Sequence, residues 1–422
     1  MRELVKDITC LHCWHRFPAE DVYWRSEHRD LLGDPLLGEN EQMRFPATRF
    51  DLHGNAVDAC GDVCRDIACP KCHLTLPRAL LERPALFVSI LGTPSCGKSF
   101  YLAALATTLR RSLPREFRVD ISDADTVGNQ SLVSYEKRIF LNQSSEELIP
   151  LADLVPKTEM GGGLYNRVRY GDQEVSYPRP LSFTLDPAPG HPSNGKGAGV
   201  RRVLCLYDNA GEHFLPGQDT RSAPGTQHMA RANYLLFLFD PTQDPRWHAA
   251  MRKLDPQCKM PVTRHAGGQE MVLREAARRI HDLRELPDGV KDERPLIIVL
   301  NKADVWKTIL GKSTWKNPLK LTSSGLHAVD VDTIHEYSDR LRTLLAEHVP
   351  ELVYAADMFF KRVYFLPASS LGTAPEFDAE GNARIRPCDI RPALVSIPFL
   401  FGTSLTTRGL IPAVTRNADA LR

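Results

Sequence analysis

Ala85-Leu-Phe-Val-Ser-Ile-Leu-Gly92-Thr-Pro-Ser-Cys-Gly97-Lys98-Ser99 decides how this chain of 422 residues is read. Its first seven residues are mostly apolar and rich in β-branched and aromatic types, which predicts a buried strand. Gly92 to Ser99 then fits G-x-x-x-x-G-K-[ST], and FYLAALATTLRRSL continues as a helical pattern. Strand, glycine-bounded loop and helix, in that order, are the context in which the pattern means phosphate binding. Gly92 and Gly97 let the backbone wrap closely, so that loop N–H groups can point at phosphate oxygens. The first helical turn adds its own unpaired N–H groups. Lys98 is expected to bridge the outer phosphates and the Ser99 hydroxyl to ligate magnesium. Thr93, Pro94, Ser95, Cys96 and Phe100 complete the candidate contact set, although Pro94 brings no N–H.

Outward from this stretch, the chain has an ordinary globular composition, 42% hydrophobic and 25% charged. A formal net charge of +1 points neither to nucleic acid nor to a membrane surface as partner. No apolar run reaches a bilayer-spanning length, and Met1-Arg2-Glu3 does not open a signal peptide, so a cytoplasmic protein is expected. Ten cysteines in such a compartment need an account other than disulfides.

Six of those cysteines precede Pro84. Cys10-Leu-His-Cys13 and Cys69-Pro-Lys-Cys72 each follow a short strand-like piece, and two such turns facing each other supply four thiolates for structural zinc. Residues 1–83 are therefore expected to form a small zinc-ribbon-like module whose stability rests on the metal. Its pairs are 55 residues apart, a long insertion for a ribbon. Cys60 and Cys64 are either buried small apolar residues or ligands of a second site with His12, His15, His53 or His73. The module holds 11 Lys and Arg against 14 Asp and Glu, the wrong balance for tracking phosphates, so protein contact is its expected use.

Beyond the first helix, further strand ends carry polar motifs. Arg201 to Tyr207 is a strand pattern ending in Asp208-Asn209-Ala210-Gly211-Glu212. There a carboxylate at Asp208 can sit near magnesium and the Gly211 N–H can face a γ-phosphate. Tyr234 to Phe239 is another apolar run, followed by an amphipathic helix over 273–286. Pro295 to Leu300 reads as a buried strand leading into Asn301-Lys302-Ala303-Asp304. The Asp304 carboxylate can accept hydrogen bonds from guanine N1–H and the 2-amino group, a donor pair that adenine lacks. The Lys302 stem can lie against the base, and Asn301 can tie this loop to the first one. After a last strand over 362–366, Pro367-Ala368-Ser369-Ser370 places an Ala368 N–H where it could meet the guanine carbonyl oxygen.

GTPSCGKS, DNAGE, NKAD and PASS, in this order, resemble the TRAFAC class of P-loop GTPases, the translation-factor-like and Ras-like proteins, over about residues 84–372. The resemblance implies an α/β, doubly wound domain with a mostly parallel sheet over 84–422, binding GTP or GDP with Mg²⁺ at the carboxyl ends of its strands. It assigns the nucleotide to Lys98, Ser99, Asp208, Gly211, Asn301, Lys302, Asp304, Ala368 and Ser369. A ribbon fused ahead of such a domain resembles the bacterial double-GTPase group of multi-gene conflict systems, which implies regulatory or effector proteins as partners.

Departures from the pattern shape the remaining expectations. Between Ser99 and Asp208 lie 108 residues, which implies an insertion at about 114–160 with an extra strand over 117–122 and an extra helix over 129–142. Thr158 is the candidate switch threonine and further magnesium ligand, an ordinary loop threonine being the alternative. After Gly211 the chain has Glu212 and His213. Glu212 can hold the attacking water but brings an anion beside the γ-phosphate, and His213 is either the working residue or a solvated one. Slow turnover accelerated by a GTPase-activating partner is the expectation. A GTP-holding scaffold with little hydrolysis is the rival; an ATP-driven nucleic-acid enzyme is disfavoured by Asp304 and the acidic module. At the C-terminal end, residues 373–390 read as a loop, and Ser396 to Ile411 as a short helical extension with Phe399 and Phe401 in the core.

Overall fold

The computed structural model describes residues 4–142, 145–155, 165–195, 199–208, 226–254, 268–310 and 315–416. Its centre is a seven-stranded sheet made of β1 (Ala85–Leu91), β2 (Val119–Asp123), β3 (Leu181–Pro187), β4 (Arg202–Asp208), β5 (Tyr234–Phe239), β6 (Asp292–Leu300) and β7 (Phe360–Pro367). The strands lie in the order β2-β3-β4-β1-β5-β6-β7. β3 pairs antiparallel with both neighbours, and the other six run one way, so the sheet is mixed.

Continuous apolar runs form these strands because both sheet faces are covered. On one face, Val88 and Ile90 of β1, Leu204 and Leu206 of β4, and Leu236 and Leu238 of β5 pack with helices α1 (Lys98–Ser112) and α6 (Ile397–Thr406). Alternate residues point the other way. Leu235, Phe237 and Phe239 of β5, with Leu296 and Ile298 of β6, meet α3 (Gln269–Leu283) and α5 (Pro350–Phe359). α4 (Val331–His348) reaches both clusters through Ile334 on one side and Leu341 on the other. α6 lies so close to β5 that a Cβ on Gly402 would sit 2.5 Å from the Tyr234 ring, whose hydroxyl donates to Phe399 O at 3.2 Å.

The amino-terminal cysteine module covers what the helices leave bare. Its Trp14, Phe17 and Leu11 share a cluster with Phe87 of β1 and Val203, Cys205 and Tyr207 of β4. Within it, the strand Tyr23–Arg25 pairs with Ile67–Ala68 and Arg44–Pro46, while Asp7–Thr9 pairs with Arg16–Pro18.

The insertion contributes β2, an extra edge strand that starts after a wide helical turn over Leu113–Phe117, and α2 (Gln130–Phe140). The supposed loop over 373–390 is instead a hairpin, Glu376–Phe377 with Ala383–Ile385, and the insertion's Ile149–Pro150 joins it as a third strand. That pairing links segments more than two hundred residues apart, which a local reading of Gly- and Pro-rich sequence does not register.

Candidate functional site

Each polar motif sits at the carboxyl end of a parallel strand. Gly92 follows β1, Asp208 ends β4, Asp240 follows β5, Asn301 follows β6 and Ala368 follows β7. β1 and β4 are in register, with Ile90 opposite Asp208. The chain's later strands lie on the other side of β1, so this end of β1 is the switch point at which an open α/β sheet leaves a crevice.

The loop from Gly92 to Gly97 is held tightly. Ser95 and Gly97 are left-handed, at φ 62° and 92°. A Cβ on Gly92 would come within 2.7 Å of both Cys96 Sγ and Leu238 O, and one on Gly97 within 2.9 Å of Asn301 Nδ2. Only glycine allows those approaches. Lys98 opens α1 and curls back over the loop, its Nζ donating to Gly92 O at 3.0 Å and Thr93 O at 2.8 Å. Beside it, Ser99 Oγ donates to Asp208 Oδ2 at 3.2 Å. Burial raises the Asp208 pKa, and the nearby Lys98 charge and the Ser99 hydrogen bond pull it back only in part. A hydroxyl and a carboxylate meeting at a helix N-terminus next to a lysine are a donor set that fits Mg²⁺, an ion bound through few protein oxygens.

The later motifs close on the same crevice. Asn301 Nδ2 donates to Cys96 O at 2.9 Å, and its own carbonyl accepts from Trp306 Nε1 at 2.6 Å. Lys302, left-handed at φ 57°, sends Nζ to Asp240 Oδ2 at 2.6 Å, so its charge is spent there and its stem is what faces the cleft. Asp304 accepts from Ser369 Oγ, and burial raises its pKa against that hydrogen bond. A cleft of about 740 Å³ is lined by Ser95, Gly97 and Phe100 of the first loop and helix together with Asn301, Lys302 and Asp304. That volume suits a nucleotide-sized ligand.

One expected contact does not survive. The Ala368 N–H donates to Leu300 O at 3.0 Å, and the Ser369 N–H to Ala393 O at 2.9 Å. The β6–β7 ladder takes the first N–H and a separate bridge between Ser369 and Ala393 takes the second, so neither is left for a purine carbonyl. Thr158, Gly211, Glu212 and His213 lie outside the described residues.

Other residues of the site carry no recognisable motif. Gln243 accepts from Thr93 Oγ1 at 3.0 Å and donates to Pro94 O at 3.2 Å, holding the loop where Pro94 cannot donate. Asp240 caps the turn after β5 by accepting from Thr242 N at 2.9 Å, and Gln269 brackets the Asp240 backbone. Leu151 of the insertion and Glu376 and Phe377 of the hairpin line the cleft as well. The pattern DPTQD after an apolar strand is the one signal that could have pointed to Asp240 and Gln243.

The four cysteines of the amino-terminal module form a second site. Cys10, Cys13, Cys69 and Cys72 are all buried, with their sulfurs within 4.8 Å of one another. Cys10 Sγ lies 3.7 Å from Cys72 Sγ and Cys13 Sγ 3.7 Å from Cys69 Sγ. A tetrahedron with Zn–S bonds of about 2.3 Å has sulfur–sulfur edges of about 3.8 Å, so the set fits zinc in a ribbon. Both knuckles close alike. His12 N and Cys13 N donate to Cys10 Sγ, Lys71 N donates to Cys69 Sγ, and the residue after each second cysteine is left-handed, Trp14 at φ 54° and His73 at φ 59°. Thiol contacts, that of Cys10 first, hold Cys69 far below the usual thiol range, while burial pushes Cys10 up. Among the described residues no second cluster includes Cys60 or Cys64. Cys60 is exposed, Cys64 is buried against Asp58, and His73 pairs with Asp34 at 2.8 Å.

No family profile matches the chain. It is 26% identical over 288 residues to a protein described as "Putative ESX-1 scaffolding and assembly protein SaeC" from Mycolicibacterium smegmatis, a match covering 68% of this chain and 63% of that one. The chain thus spans less than two thirds of that relative's length. Among solved structures it is similar to one described as "Signal recognition particle receptor SRb-GTP/SRX complex from Chaetomium thermophilum". That likeness has 13% identity, covers 68% of this chain and 94% of that chain, and has a TM-score of 0.23, too slight to bear on function.

Proposed function

We propose that the chain binds GTP with Mg²⁺ in the cleft above β1 and hydrolyses it slowly, as a switch that works with partner proteins. The observation that supports this most is one cleft whose lining includes both Ser95 and Gly97 of the first loop and Asp304. Asp304 accepts guanine N1–H and the 2-amino group, exchanging its contact with Ser369 for them. Lys98 turns from the Gly92 and Thr93 carbonyls to the β- and γ-phosphates. The loop N–H groups and the first turn of α1 hold the phosphate oxygens where charge develops. Ser99 and Asp208 would hold Mg²⁺, which neutralises phosphate charge when bound, with Thr158 as a further candidate ligand. Gly211 would meet the γ-phosphate, and Glu212 or His213 would orient water; an anion at Glu212 makes the unaided reaction slow.

The test is phosphate release by the purified chain with Mg²⁺ and GTP, against Lys98→Ala and against ATP. Release above the variant, with GTP preferred, supports the reading. Equal affinity for ATP and GTP sinks the assignment of Asp304.

A second reading, a GTP-holding scaffold with little hydrolysis, draws on the SaeC match, since that relative is described as a scaffolding and assembly protein. The conflict-system setting rests only on the fusion of the cysteine module to the nucleotide domain. Tight GTP binding with no release above Lys98→Ala, with or without partners, would select the scaffold.

A further inference from the structure

A second hollow, of about 670 Å³, lies where α1 ends, away from the nucleotide cleft and with no part in the chemistry above. Three arginines line it: Arg111 on the last turn of α1, Arg115 just beyond, and Arg391 from the segment after the hairpin. All three are exposed, and among the described residues none is paired with a carboxylate. Among the described residues Glu116 is the one acidic side chain on the wall. The rest of the lining is mixed, with apolar Ile139, Phe140 and Ile390 beside polar Thr107, Thr108 and Asn142.

We propose that this groove docks an acidic, partly apolar segment of a partner protein. Arginines present planar forks that take carboxylates in pairs, and they hold their charge at any working pH. The apolar residues beside them, Ile139, Phe140 and Ile390, suit leucine-like side chains. A nucleic-acid strand would want a longer cationic track than three side chains.

The groove also shares a strip of chain with the lining of the nucleotide cleft. Cys388 N–H donates to Ser145 O at 2.9 Å on its wall, and a few residues on, Ile149 and Pro150 pair with Ile385 and Arg384. That strip ends in Leu151 and Phe377, which line the cleft. A partner seated in the groove therefore touches the segment that borders the nucleotide.

Docking needs no nucleotide, so the test is run without one, and its outcome is separate from that of the GTP reading. A fluorescein-labelled peptide of alternating glutamate and leucine is titrated with the full chain, with a lysine–leucine peptide and a labelled oligo-dT strand as counter-probes. The acidic probe is expected to bind and to weaken as salt rises. The pair Arg111→Glu and Arg115→Glu should lower its affinity at least about tenfold, while Arg408→Glu, elsewhere on the surface, leaves it unchanged. Circular dichroism and melting check the folding of the paired variant, and Arg111→Gln with Arg115→Gln replaces it if it melts early. Failure of the acidic probe to bind, or binding indifferent to either paired variant, overturns the proposal. Tighter binding of oligo-dT through the same arginines overturns it in favour of nucleic acid.

Discussion

Tyr207 donates its hydroxyl to Leu11 O at 2.6 Å, and so the strand that ends in Asp208 is bonded to the inside of the first cysteine knuckle. Trp14 Nε1 donates to the same hydroxyl at 3.2 Å. Behind it the Tyr207 ring stacks on His228 at 4.7 Å, and His228 Nδ1 meets Ser89 Oγ at 2.8 Å on β1. Cysteine cluster and candidate nucleotide cleft are thus joined by a buried polar connection, a residue away from the candidate magnesium carboxylate.

Tyr207→Phe tests that connection. It keeps the ring but leaves Leu11 O and Trp14 Nε1 without this partner in a buried setting, at a cost of about 1–3 kcal/mol. Chemical denaturation should show the loss, and a chromophoric chelator should strip metal from the variant faster than from the parent chain.

Metal content offers a second check. The purified chain should carry zinc at the cluster, and Cys10→Ser with Cys69→Ser should carry none. Because Trp14 packs between the knuckles and β4, chelation should expose it and shift its fluorescence to the red. A chain that binds no zinc and keeps an unchanged Trp14 environment would contradict the ribbon.

Replacing Asp304 should alter base choice. Asp304→Asn removes the charge that accepts two donors and presents an amide donor instead, which suits the 2-oxo group of xanthine. GTP affinity should fall about 10- to 100-fold and XTP affinity should rise, as read by nucleotide competition.

The buried carboxylates set a pH dependence. Asp208 and Asp304 both have raised pKa values in the folded chain, so it holds more protons than the unfolded chain as pH rises from the ordinary carboxylate range to those raised values. Stability without ligand should be fully present below that window and should decline through it. Binding runs the other way, since Asp304 must be ionised to accept guanine. GTP affinity should therefore be lost on acidification at a higher pH than an ordinary carboxylate would give, measured by calorimetry across the range.

Gly97→Ala should break the loop without touching the ligand contacts expected of side chains. The new methyl group meets Asn301 Nδ2 at 2.9 Å and sits at a φ of 92°. About 1–3 kcal/mol of strain is expected, together with weaker nucleotide binding. Normal stability and binding in this variant would show that the loop has another resting shape.

Much of the site could be read from residue order, because loop chemistry after a strand is local. The strand over 85–91, the loop with its two glycines, and the polar ends of β4 and β6 each follow from a few adjacent side chains. So did the pairing of the cysteine knuckles, since two C-x-x-C turns after short strands have one efficient way to share a cation. Phe377 and Leu151 could not be read, as each reaches the cleft from a different part of the chain. The Ala368 N–H was misread because whether a ladder stops at Pro367 or one residue later depends on β6, not on the tetrapeptide itself.

Residue order alone determined the kinds of element, the chemistry at the strand ends and the four sulfurs, because each depends on neighbours within a turn or a strand. Only the tertiary structure decided that the hairpin over 376–385 takes the insertion as a third strand, that Lys302 is held by Asp240, and that the cysteine module rests on β1 and β4. Those outcomes are contacts between distant segments competing for the same surface. Their winner is set by which packing buries most apolar area while satisfying every backbone group, a sum over the whole chain that no single stretch contains.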